Sequence, residues 1–539
     1  MWKTIFAAVV LAACAGAHAQ PATLTPQQWH EDLRVLTESM PARHRNLYHT
    51  MTREQFAAAV AGLDARIDTL PRHKIVVEMA RIAAMVGDGH TNVAPTRDPK
   101  IGFRAFPLAL YFFEDGLYVR AAAERYRDLV GAKVVGIGPY STAQAYAAVR
   151  DIIGRDNEQG ALFFAPHLLV MPEILDALGM GEGPDRARLA VEQDGKRRVV
   201  ELGDPQPAEM MPPDTDLSFM PRAGWHDARA STPLWLRDAR SKFRMEHLDA
   251  QKILYVQLNQ VGDEKDETLA RFARRIGDAA ARHKTSKIVL DLRLNRGGNG
   301  ALVPPLIASL VRATAPDARE RLFAIIGRST FSAAQFVTSD LERYTDAVLV
   351  GEPTGGKPNS YGDSRKITLP HSGITVRVST IWWQEDERDR RDWSAPVLAV
   401  AQTFDDYRKG ADPALAAIQS YRPAPPLAGI LSKAGTPAEA RRVYADWRAQ
   451  PANRYADAQS AFYEAGHALL KQGKPDTALA VFELWTAAHP NIGWGYEGQG
   501  AAFLAKGDRE RAIDAYRRAL KIEPSSGASA DALAKLQTR

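Results

Sequence analysis

The sequence predicts a multidomain α/β chain with a separate all-helical C-terminal module, and three observations predict it. Between Lys252 and Val350, apolar strand-like runs alternate with amphipathic helical stretches, the pattern of a parallel sheet covered by helices. Further on, Gly466, Gly473, Ala478, Phe482 and Pro490 recur 34 residues later as Gly500, Gly507, Ala512, Tyr516 and Pro524. A length of 539 residues leaves room for three or four units of about 150 residues.

In chain order, residues 1–19 read as an export signal. Lys3 supplies the positive start, Thr4 to Ala13 a short apolar run, and Ala17-His18-Ala19 a small-x-small cleavage site. A periplasmic or secreted protein beginning at Gln20 is expected. Leu11-Ala12-Ala13-Cys14 offers the alternative of lipoprotein cleavage at Cys14, the single cysteine, so no disulfide is expected. No later run reaches about 18 apolar residues, so no membrane span is expected. The excess of 69 basic over 64 acidic residues, net +5, is scattered, which argues against a nucleic-acid partner.

Residues 20–100 read as a helical unit: Thr52-Arg53-Glu54-Gln55 is a capping box, and Phe56, Val60, Leu63 and Ile67 follow at helical spacing. Across 101–205, two apolar runs flank the hairpin signal Asp115-Gly116, and Leu129 to Ile137 adds another strand. This unit resembles a degenerate PDZ-like peptide-binding domain. Residues 206–232, rich in Pro, Asp and Met, read as a linker. The α/β core is placed at 233–421, a Pro-rich linker at 422–435 and the repeats at 436–539. The 34-residue repeat resembles the tetratricopeptide repeat, which implies a groove for an unknown protein partner.

Two loops of the core carry chemistry. The strand Leu322 to Ile326 ends in a Gly/Ser/Thr turn, and Ser332 sits where the next helix begins, followed by small residues. A serine there exposes its hydroxyl beside free helix N-terminal amides, the needs of a nucleophile and its oxyanion; the competing role is a plain helix N-cap. Asp291-Leu292-Arg293-Leu294-Asn295-Arg296-Gly297-Gly298 follows another buried strand. Both loops lie at carboxyl ends of strands, where one crevice can hold them.

Together with Gly351-Glu352-Pro353-Thr354-Gly355-Gly356-Lys357, these motifs resemble the C-terminal processing (tail-specific) and tricorn-like serine proteases. The resemblance implies a core of the ClpP/crotonase-like type and an exported endopeptidase acting on peptides or unfolded proteins through a Ser332 acyl-enzyme. It implies amides of Gly297 or Gly298 and of Ala333 as oxyanion donors. One branch of the family uses a lysine base, at Lys357 here; the tricorn-like branch uses a histidine before the PDZ domain, at His90 in Gly89-His90-Thr91. The chain departs from both patterns. Tyr361 replaces the supporting glutamine of the first branch, and Arg390 falls where the second has a glutamate. Asp386 and Asp389 are the candidates to orient His90. Those departures keep a second class open, an inactive peptide-binding scaffold. With no H-E-x-x-H, C-x-x-C or P-loop, no metal and no cofactor is expected.

Overall fold

The computed structural model describes residues 23–283, 285–314, 321–387, 389–423 and 425–537. The expected leader, with Cys14 and its alternative cleavage box, lies outside these residues. No helix among the described residues is long and apolar enough to cross a membrane.

Three helices open the chain: Pro26–Arg43, Arg53–Asp64 and Arg72–Ala84. The Thr52/Gln55 capping box forms as the spacing predicts, and Thr25 with Gln28 makes another. A five-strand antiparallel path follows, in the order Leu108–Phe113, Gly116–Ala123, Lys133–Ile137, Ala187–Gln193 and Lys196–Leu202. The Asp115-Gly116 hairpin lies between the first two. Helices and sheet share one hydrophobic core, running from Trp29 through Leu110 and Val191 to Val378. The boundary expected near residue 100 therefore does not separate two cores. Nor is 206–232 a free linker: Trp225–Asp227 pairs with Gly116–Ala123, and Phe219 and Asp216 are buried. Its many prolines and aspartates shape an irregular strap whose apolar side chains still find a core.

The second sheet has the strand order Phe243–Leu248, Ile253–Leu258, Lys287–Asp291, Leu322–Ile326, Val348–Gly351 and Leu398–Ala399. All pairs are parallel except the first. Ile253–Leu258 is buried at all six positions, as a strand covered on both faces must be. The helices Leu269–Arg282, Val303–Thr314 and Ala333–Tyr344 cover one face, and Pro413–Ser420 covers the other. The two chemical loops leave the neighbouring strands Lys287–Asp291 and Leu322–Ile326.

The C-terminal repeats are paired helices, Gln459–Lys471 with Pro475–Ala488 and Gly493–Ala505 with Arg509–Ile522. Their periodicity has a packing cause. A Cβ on Gly466 would lie 2.4 Å from the Phe482 ring, and one on Gly500 2.8 Å from the Tyr516 ring. Each repeat thus seats its aromatic against its own glycine. Trp485 is fully buried. The module also touches the core, through an Arg454–Glu114 ion pair (3.0 Å) and the Tyr455–Trp393 ring contact.

Candidate active site

Ser332 does not cap the helix that it precedes. Its φ of 56° and ψ of −126° put a non-glycine residue in a strained region, and its side chain makes no capping hydrogen bond. Such strain costs about 1–3 kcal/mol and persists only where the surroundings enforce it. Here the enforcement is visible. Thr330 Oγ1 accepts from Gly327 N (3.1 Å) and donates to Leu292 O (3.1 Å), while its carbonyl accepts from the amides of Gly355 and Gly356. Arg328 donates to Phe112 O (2.9 Å) and pairs with Glu352. The Gly-Glu-Pro-Thr-Gly-Gly run is therefore the brace of the serine turn.

The polar residues of the neighbouring loop are also scaffold. Asp291 accepts from Tyr255 Oη (2.6 Å) and from Arg293, which pairs with Asp412. Asn295 donates to Leu258 O (3.0 Å), and its Oδ1 accepts from Gly297 N (2.9 Å). The Gly297 amide is thus occupied, which corrects its expected place among the oxyanion donors; its part is steric. With φ of 119° and 129°, Gly297 and Gly298 adopt backbone that side chains disfavour. A Cβ on Gly297 would lie 2.8 Å from Ser332 Cβ, and one on Gly298 2.1 Å from Val261 O. The amides of Gly298 and Ala333 donate to no described group, and both residues line the same crevice as Ser332, with a volume of about 680 Å³.

His90, 242 positions before Ser332, places Nε2 3.2 Å from its Oγ. The turn that carries it is pinned by long-range contacts. Asp88 Oδ1 accepts from His90 N (2.9 Å), Thr91 N (2.7 Å) and Ser379 Oγ (2.7 Å), and Asp88 Oδ2 meets His44 Nε2 at 2.9 Å. Asp156 Oδ1 accepts from Gly89 N (2.6 Å), and Phe331 stacks on the imidazole at 4.5 Å. Burial pushes His90 down to about 4; Asp88 opposes this and Arg97 adds to it. The ring is then neutral near pH 7, the state a general base requires. Burial, with the charge of Asp88, pushes Asp156 up to about 7.

The other candidates lie elsewhere. Lys357 is not a desolvated base: its ammonium pairs with Asp392 at 2.9 Å on a partly exposed surface. Asp386 and Asp389 do not orient His90, whose buried Nδ1 has no hydrogen-bond partner. Their loop is folded onto Asn359, which donates to both carbonyls, and the Asp389 carboxylate holds Arg391. The sequence reading passed over Asp88, Asp156, His44 and Ser379. The one local signal was Asn157, whose side chain caps the helix Glu158–Leu168 and so fixes Asp156 beside it.

No protein-family model matches the sequence, and no curated protein matches it significantly. Solved structures do. Mature CPAF complexed with lactacystin superposes at a TM-score of 0.50 with 13% identity, over 72% of this chain and 96% of that one. A CPAF point mutant gives 0.53 and 12%, over 75% and 100%. The photosystem II D1 C-terminal processing protease also matches (12% identity, 70% and 94% covered), but at 0.32 the superposition carries no argument. At such identities the likeness speaks for the fold alone: over about three-quarters of its length the chain has the fold of CPAF, with stacked helical repeats appended.

Proposed function

We propose that the chain is an exported serine endopeptidase cleaving peptides or unfolded protein through a Ser332 acyl-enzyme. The observation that carries this reading is the 3.2 Å approach of a neutral, partly buried imidazole to a strained serine hydroxyl. His90 Nε2 takes the Oγ proton as Oγ attacks the peptide carbonyl. The carbonyl oxygen becomes an oxyanion beside the Gly298 and Ala333 amides. Collapse breaks the C–N bond, and the leaving amine takes the proton from His90. Water, deprotonated by the same ring, then hydrolyses the ester and restores Ser332.

Such a dyad lacks a carboxylate on Nδ1. Enclosure therefore does the orienting: the Phe331 face, the Asp88-bound backbone and the Gly362 backbone, whose added Cβ would lie 3.8 Å from His90 Cε1. The unpartnered Nδ1 is also what favours the second reading, a peptide-binding scaffold in which Ser332 no longer turns over. The repeats would recruit a protein partner in either case, and the 101–205 unit would act as a PDZ-like substrate holder. Export is supported by the leader composition of residues 1–19. Purified mature protein offered denatured substrate separates the two classes: cleavage that vanishes in Ser332→Ala supports the enzyme, and binding without cleavage in the parent supports the scaffold.

A further inference from the structure

Outside the crevice of the reactive pair, a cavity of about 330 Å³ opens between the strand Leu108–Phe113, the end of the helix Glu158–Leu168 and the 206–225 strap. Most of its wall is apolar, with Phe106, Leu108, Leu110, Val170 and Met171 among the lining. One pole is not. His167, in the last turn of the helix, is partly buried, and no described residue hydrogen-bonds to either ring nitrogen. Arg222 stacks on Trp225 (4.6 Å) and forms an ion pair with Glu209 (2.8 Å); its N–H groups otherwise meet no described residue. Arg120, 3% exposed, lines the same space.

A partly buried imidazole that meets no protein partner at the rim of an apolar cavity is free to hydrogen-bond a ligand there. The sign of the field selects that ligand. Burial pushes His167 down to about 3, and the charges of Arg120, Arg222 and Arg296 all push the same way. A negative group entering there is attracted by three guanidinium groups and can accept from the imidazole N–H and from the free fork of Arg222. The negative end of the helix dipole at His167 opposes this, as do Glu209 and Asp227, which pair with Arg222 and Arg120, but the charges that act on the His167 ring itself are those of the arginines.

We propose that this cavity binds a small monocarboxylic acid, its apolar tail against Leu108 and Leu110 and its carboxylate between His167 and Arg222. The site makes no use of Ser332 and stands or falls apart from the peptidase reading. Isothermal titration of the full chain at pH 7 with octanoate, and with octanamide as the uncharged match, tests it. Saturable 1:1 binding of octanoate, at least about tenfold tighter than octanamide, is expected. His167→Gln and Arg222→Gln should each weaken octanoate about tenfold while leaving octanamide unchanged. Should His167→Gln fail to fold, the partly exposed Arg222 carries the test alone. No saturable binding at millimolar octanoate, equal affinity for acid and amide, or an Arg222→Gln protein that binds as the parent does would each overturn the site.

Discussion

The two turns that meet at the reactive pair are built in opposite ways. The Ser332 turn is a local object. It lies between a strand and a helix that are consecutive in sequence, its strained φ sits at the junction, and its brace comes from residues 292 to 356, with one distant hydrogen bond from Arg328 to Phe112 O. The local brace of the His90 turn is small, the Asp88 carboxylate and an Asn92 hydrogen bond to Gly89 O (3.2 Å). His44, Asp156 and Ser379, spread over more than 300 positions, fix it. The nucleophile's turn is thus held mainly by one continuous stretch of chain, whereas the base beside it exists only once three distant segments have packed. Damage to the first turn should act on chemistry directly; damage to the second should act through stability and alignment together.

The largest effects test the meeting point itself. Ser332→Ala and His90→Ala should each cost peptidase kcat on the order of a millionfold, and the double variant little more, because members of one catalytic unit are not additive. A double variant whose loss is the product of the single losses would separate the two turns functionally.

Next is the loop between them. In Gly298→Ala the new Cβ meets Val261 O at 2.1 Å, in backbone with φ of 129°. We expect about 1–3 kcal/mol of lost stability in a denaturant melt, and a kcat loss on the order of a hundredfold as the amide leaves its place.

Asp156→Asn probes the His90 turn by pH. The buried Asp156 carboxyl, held up to about 7, binds protons in the fold that it has lost in the unfolded chain, so stability falls as pH rises from about 4 to 7. His90, held down to about 4, has the opposite sign: its contribution is lost as pH falls from 6.5 to 4. In the parent the two slopes oppose one another. With Asn at 156, which keeps an acceptor for Gly89, stability should climb with pH between 4 and 6.5. It should exceed that of the parent near pH 8, by at most about 4 kcal/mol. A chemical-denaturation series across pH reads this, and parallel curves for the two proteins would refute it. The smallest effect is that of Lys357→Ala, whose exposed pair with Asp392 is worth less than about 1 kcal/mol.

The same contrast explains what could be read in the sequence. The parallel core strands, the Thr52 cap, the Asp115-Gly116 hairpin and the repeats are periodic or local, and all were legible. So was Ser332, because a strand, a tight turn and small residues suffice to mark it. The edge strand Phe243–Leu248 was missed, since its half-buried run Phe-Arg-Met-Glu-His-Leu has little apolar signal. His90 could be picked only through family resemblance, and Asp156 not at all, because no spacing within the chain announces contacts made in three dimensions. The acidic stretch 385–392 misled for the same reason: nearness in sequence to an expected position says nothing of Asn359 and Arg391, which claim its carbonyls and the Asp389 carboxylate.

The rate at which a fluorophosphonate labels Ser332 tests most directly the claim that His90 activates it, since no peptide specificity intervenes. The parent and Lys357→Ala should be labelled at rates within a few fold of each other, His90→Ala at least about a hundredfold more slowly, and Ser332→Ala not at all. Labelling of His90→Ala at the parent rate, or its loss in Lys357→Ala, would contradict the account.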